Sequence, residues 1–209
     1  MLAVSKGMPP ESIGDALSAG QTFFGESKIQ EAKAKIPQCS SRARWHFIGH
    51  LQSNKCREAV QLFEMIHSVD SLPLAVELNK WCDKFGRQMP VLLEVNVAGE
   101  ATKFGFKPEA VLDQLSAINA LPRLELHGLM TIAPWTPEPE KARPAFRRLR
   151  ELKSECEQKL GAPLPHLSMG MSADFEVAIE EGATIVRIGT ALFGPRPRAQ
   201  RPEIVDDGP

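Results

Sequence analysis

The sequence predicts an α/β protein built as a single (β/α)8 TIM barrel, and three observations predict it. Short β-branched or aliphatic runs alternate with longer amphipathic stretches along the whole chain, the pattern that builds parallel sheets from βα units. Eight such runs can be counted, and eight strands joined by single helices imply a closed barrel rather than an open doubly wound sheet. No Gly-x-Gly-x-x-Gly turn follows the first run, so the phosphate turn of a dinucleotide-binding open sheet is missing.

Taken in order, residues 2–5 form the first strand and 10–19 its helix; 22–25 and 27–35 form the second pair, and 45–48 and 54–63 the third. Residues 65–69 and 72–85 make the fourth pair, 91–97 and 108–119 the fifth, 125–131 and 138–160 the sixth, and 166–169 and 173–180 the seventh. Residues 184–188 complete the strand count with no helix predicted after them. The sixth helix shows its period clearly: Phe146, Leu149, Leu152 and Cys156 recur at three- and four-residue steps, with Arg, Lys and Glu on the other face, as expected of an outer barrel helix.

A chain of 209 residues accommodates one α/β barrel without a second core. One domain is therefore assigned to residues 1–194, and the stretch 195–209, rich in Pro, Arg and Asp and without periodicity, is expected to be a loosely held tail. The 25 basic and 26 acidic residues are well mixed and leave a formal charge of −1, which points away from nucleic acid and anionic membranes and toward a small-molecule partner. The N-terminal MLAVSK lacks the charged segment, long apolar core and cleavage site of a signal peptide. Nor do about 18 apolar residues run together anywhere. Cys39, Cys56, Cys82 and Cys156 stand far apart, the pattern of reduced thiols in a cytoplasmic protein rather than of a zinc site or disulfide framework.

In a barrel of this kind the active site forms where strands end and βα loops begin. Lys6 follows the first strand, where desolvation makes an amine nucleophilic; a lysine that merely opens a loop is the alternative. The seventh strand leads into Ser168–Ser172, with Ser172 placed to cap the next helix, and the eighth leads into Arg187–Thr190. Loops after strands seven and eight are the recurrent phosphate-binding place, and Gly170, Gly189 and the hydroxyls of Ser172 and Thr190 supply close backbone approach and donors there. Simple capping and turn formation would use the same residues. His46 and His50 have the HxxxH spacing of a zinc pair, but Trp45, Phe47 and Ile48 make the segment a strand, so the ligand geometry fails and no metal is expected. Asn54 and Lys55 at a helix start, Asn96 after the fifth strand and Met130 with Thr131 after the sixth are further candidates to line a pocket.

The motifs AVSK at 3–6, FGES at 24–27, WHFIGHLQSNK at 45–55, IHSVDS at 66–71, KFGF at 103–106, HGLMTI at 127–132 and LSMGMSADFEVAIEEGATIVRIGTALFG at 167–194 resemble those of the pyridoxal phosphate homeostasis proteins. That family is similar in fold to the N-terminal barrel of alanine racemase. The resemblance implies that Lys6 carries pyridoxal 5′-phosphate (PLP) as a Schiff base, that Ser172, Gly189 and Thr190 hold the phosphate, and that Arg187 faces the pyridine nitrogen. His46, Asn54 and Met130 match pocket-side motifs. Two departures stand out. Only five residues precede Lys6, where the family carries a longer segment with a helix that covers the barrel, which implies either an upstream start or the absence of that helix. Ser27 stands where the family usually has Asn.

The resemblance also implies an absence of racemase chemistry. A guanidinium cannot accept a proton from the ring nitrogen, which weakens the ring as an electron sink. Alanine racemase takes its second-face proton donor, a tyrosine, from a C-terminal β domain, and this chain has no tyrosine. The implied function is storage, buffering or delivery of PLP, with an influence on amino-acid metabolism, PLP-dependent apoenzymes as possible recipients, and a monomer or weak dimer as the working form. A weak PLP enzyme acting on amino acids and a Schiff-base aldolase using Lys6 directly are the rival readings.

Overall fold

The structure, a computed structural model, describes residues 1–100 and 102–195. Eight parallel strands close on themselves in chain order: β1 (Leu2–Val4), β2 (Phe23–Glu26), β3 (Arg44–Phe47), β4 (Met65–Val69), β5 (Met89–Glu94), β6 (Leu124–Met130), β7 (His166–Met171) and β8 (Ile185–Ile188). Closure is made by β1 beside β8, with Ala3 opposite Ile188. Helices α1 (Pro10–Ser18), α2 (Ile29–Lys35), α3 (Cys56–Leu62), α4 (Leu72–Lys84), α5 (Pro108–Asn119), α6 (Arg143–Leu160), α7 (Phe175–Glu180) and α8 (Thr190–Phe193) follow their strands in turn.

The period-two alternation of the strands sorts their side chains into two layers. Phe24, Trp45, Phe47, Val91, Leu93 and Leu129 face outward and pack with the helices, whereas Met65, Leu92 and Met130 form a small interior group against the half-buried Ile185. On α6 the predicted stripe of Phe146, Leu149, Leu152 and Cys156 is fully buried. The same alternation sends His46, His67, Glu94, Ser168 and Arg187 into the barrel, and all five are buried.

Several boundaries shift for physical reasons. The sixth helix begins at Arg143 rather than 138, after a 3₁₀ turn over Pro139–Ala142, because a proline, here Pro144, suits the first helical turn, whose N–H groups have no partner inside the helix. Ser172 does not cap the seventh helix. Asp174 stands at that N-cap, its Oδ1 accepting from the Met171 N–H at 2.6 Å, and the helix starts at Phe175. A one-turn eighth helix, α8, exists where none was predicted. Of the expected tail, 195–209, all but Pro195 lies outside the described residues.

Candidate functional site

A cavity of about 460 Å³ opens at the end of the barrel where the strands finish. Its polar lining comes from Lys6, Ser27, Ser172, Arg187 and Thr190, with the Gly189 backbone, and its apolar lining includes Val4, Ile48, Ile132, Met171 and Phe193. Five of the eight residues expected from the sequence are thus brought together: Lys6, Ser172, Arg187, Gly189 and Thr190. The other three lie elsewhere. His46 and Met130 are buried inside the barrel below this cavity, and Asn54 is exposed in a 3₁₀ turn over Ser53–Lys55. Of the HxxxH pair, His50 is stacked on Phe104 at 3.6 Å beside Asp70, well apart in setting from the interior His46.

The phosphate-binding candidates converge through the backbone. Ser172 Oγ accepts from the N–H groups of Gly189 and Ala191, each at 3.3 Å. These are long bonds to a neutral acceptor, so a charged oxygen has a clear electrostatic advantage over the hydroxyl for the same amides. Gly170 earns its place by sterics: it has φ of 88°, and a Cβ there would meet the Ala178 Cβ at 2.5 Å. At Gly189 a Cβ would make only ordinary contact with Val4.

Arg187 is held from beneath. Its guanidinium donates to Ser168 Oγ and to the Thr131 carbonyl, both at 2.8 Å. Burial pushes this group down to about 10, while the carboxyls of Glu94 and Asp174 pull it the other way, so it is a cation at neutral pH. Glu94 is pushed up to about 7 by burial and by the charge of Asp70, with Arg187 opposing. Beyond Ser168 the polar contacts continue: Ser168 Oγ to His67 Nδ1 at 2.9 Å, and His67 Nε2 to His46 Nδ1 at 3.0 Å. Burial lowers both histidines, His46 to about 4, with the charge of Arg44 acting in the same direction, and His67 well below its ordinary value. Both rings are therefore neutral at pH 7.

Only the upper end of this row has a fixed direction. Arginine donates and never accepts, so Ser168 Oγ accepts from Arg187, while its second lone pair and its hydrogen allow either sense toward His67 Nδ1. With the Ser168 hydrogen on His67 Nδ1, His67 carries its own hydrogen on Nε2 and donates it to His46 Nδ1; in the other tautomer both contacts run toward Ser168. Sequence reasoning missed His67, Ser168 and Glu94. Their signal was a polar residue in an otherwise apolar strand run, readable only once the inward face was known.

Comparison with known proteins places this geometry. The alanine racemase N-terminal domain family matches residues 4–197. A pyridoxal phosphate homeostasis protein from Aquifex aeolicus is 47% identical over 197 residues, covering 94% of this chain and 86% of that one. The chain belongs to the pyridoxal phosphate homeostasis family. A solved structure of PipY from Synechococcus elongatus, another protein similar to this chain, has PLP bound; it superposes with a TM-score of 0.87 at 38% identity, covering 93% of this chain and 92% of that one. The likeness to the alanine racemase of Clostridium difficile, TM-score 0.78 at 16% identity over 94% of this chain and 52% of that one, extends to the fold alone.

Proposed function

We propose that this member of the pyridoxal phosphate homeostasis family holds PLP on Lys6 and serves to store, buffer or deliver it, with consequences for amino-acid metabolism. The observation that carries the reading is the meeting, in one cavity, of a primary amine at Lys6, a donor-only cation at Arg187 and converging backbone N–H groups beside Ser172 and Thr190. The residues fit the group. A cavity of this volume lies within the roughly 300–1,000 Å³ range of small-molecule sites, and the amide pair now served by one neutral hydroxyl is a donor set suited to a phosphate. The bound cofactor supplies an aldehyde that condenses with an amine, C=N replacing C=O as water leaves.

Lys6 Nζ is the amine at this site. Ser172, Thr190 and the amides of Gly189 and Ala191 would hold the phosphate, and Arg187 would face the ring nitrogen as a donor. Because Arg187 gives hydrogens and takes none, a ring nitrogen facing it would stay unprotonated and the ring would withdraw electrons weakly. The chain is accordingly read as a holder of the cofactor rather than an enzyme. Ile48, Ile132, Met171 and Phe193 give the aromatic ring an apolar surround. Trp135, 84% exposed at the rim, offers an apolar surface to a receiving PLP-dependent apoenzyme. The barrel domain over residues 1–194 carries all of these groups, and the four free cysteines suit a reducing cytoplasm.

The test is spectroscopic. Purified protein mixed with PLP should develop a visible absorption band that borohydride bleaches, and mass spectrometry should then find the adduct on Lys6. A protein that gains no such band, or that binds pyridoxal as tightly as its phosphate, would not be the PLP holder described.

A further inference from the structure

Around β1 the wall of the barrel contains an ionic cluster that the proposed function leaves unused. Glu26, fully buried, ends β2, while Glu31 and Lys35 lie one turn apart on α2. Lys35, only 6% exposed, directs its ammonium to three acceptors: the Ser5 carbonyl at 2.7 Å, Glu26 Oε1 at 2.7 Å and Glu31 Oε1 at 2.8 Å. Glu26 Oε1 also accepts from Ser5 Oγ at 2.7 Å, and Glu31 Oε1 accepts from the Gly7 N–H.

Such a cluster is a poor stabiliser. Taking charges out of water costs about as much as their attraction returns, and Glu26 Oε2 is buried without a hydrogen-bond partner. Its effect is geometric. The groups outside the cluster that exchange hydrogen bonds with it belong to Ser5 and Gly7, the two neighbours of Lys6. Ser5 and Gly7 are further linked by a turn in which Met8 N–H donates to the Ser5 carbonyl at 2.9 Å and Gly7 takes φ of 75°, a left-handed position suited to glycine. Both peptide neighbours of Lys6 are thereby tied to α2, while the Lys6 side chain lines the cavity.

We infer that Glu26, Glu31 and Lys35 are positioning residues for Lys6: they fix the segment from Ser5 to Gly7 so that the amine stands at one place in the cavity, and they govern how fast Lys6 reacts rather than how tightly the phosphate is held. The inference rests on the reading of Lys6 as the attachment site. A reacting amine displaced by about 1 Å loses on the order of a hundredfold in rate, whereas donors after β7 and β8 are untouched by changes on α2.

The test compares the parent with Lys35→Met and Glu31→Ala. Pyridoxine 5′-phosphate, which has no aldehyde, reports noncovalent binding, and the rate of borohydride-fixable adduct formation with PLP reports the amine. Both variants should bind pyridoxine 5′-phosphate within about twofold of the parent, while adduct formation slows at least about tenfold in Lys35→Met and by a smaller factor in Glu31→Ala. Should Lys35→Met fail to fold, as circular dichroism would reveal, Glu31→Ala, altered at a half-buried position, carries the comparison. Adduct formation at the parent's rate overturns the inference, and so does a matching loss of pyridoxine 5′-phosphate binding, which would make the cluster a support of the wall. A parent that forms no adduct on Lys6 overturns the proposed function itself, and this inference with it, before any variant is made.

Discussion

The two ends of the barrel carry cavities of similar size and different chemistry. Where strands finish, about 460 Å³ is lined by Lys6, Arg187, three hydroxyls and converging amides. Where strands begin, about 390 Å³ is lined by Arg44, Glu64, His46, His127 and His166 among apolar side chains such as Met65 and Ile185. The first has backbone donors because its loops turn directly into helices, as at Gly189 before α8; the second offers mainly side chains. Parallel strands make this difference unavoidable, since every βα turn falls at one end. The lesson is that a barrel of one sheet has one end suited to an anion.

The largest expected effect falls on the first end. Lys6→Ala should abolish the borohydride-fixable adduct and leave the fold intact, because a half-buried side chain at a cavity rim adds little packing. Peptide mapping decides it, and an adduct found mainly on Lys55 or Lys103 would overturn the assignment. Next comes the phosphate. Ser172→Ala with Thr190→Ala removes two hydroxyl donors worth roughly 1.5–3 kcal/mol each toward a charged acceptor, so PLP affinity should fall at least about tenfold while pyridoxal changes little. Titration of both ligands checks this, and a double variant that keeps its full preference for the phosphate would remove the comparison's basis.

At the other end the expected effect is on stability. The His46 ring has its value lowered to about 4 in the folded chain from an ordinary 6.5, so its contribution is fully present above about 6.5 and lost as pH falls toward 4. That difference amounts to about 3 kcal/mol. Glu94, raised to about 7, acts with the opposite sign, its contribution fading as pH rises from about 4.5 to 7. His46→Gln should therefore flatten the loss of stability between pH 6.5 and 4 by about one proton, with PLP affinity kept within about twofold. Urea unfolding at several pH values measures the slope, and a large loss of affinity would show that the two ends are coupled. The smallest effect belongs to Asn54→Ala. Asn54 is exposed outside the cavity, and an effect within about 0.5 kcal/mol on stability is expected, with binding unchanged by calorimetry.

Much of this comparison was legible in the sequence. The strand Met65–Val69 and the helix Pro108–Asn119 are found at their predicted limits, because each is a continuous pattern with a clear edge. Lys6, Ser172, Arg187, Gly189 and Thr190 could be singled out as candidates, and they share one cavity, because strand ends are local features. What stayed hidden depends on contacts remote in sequence. His67 and Ser168 meet across 101 positions, and Ser5 reaches Glu26 across 21; neither spacing carries a local signal. Ser172 illustrates a competition that residue type cannot resolve. Serine and aspartate both cap helices, and once Asp174 stands at that position the hydroxyl of Ser172 is left for Gly189 and Ala191.

The row from Arg187 through Ser168 and His67 to His46 has one further property. Its first member has no lone pair to offer, so only the contact at that end is fixed in direction; beyond it the Ser168 hydroxyl, with two lone pairs and one hydrogen, admits either sense. With the Ser168 hydrogen on His67, each bond polarises the next in the same sense, and the positive end falls on the His46 ring that lines the cavity at the strand starts. With the hydrogens reversed, both rings donate toward Ser168, which then accepts from Arg187 and His67 together. The row is thus a wire with two settings, anchored at one end by the charge of the arginine.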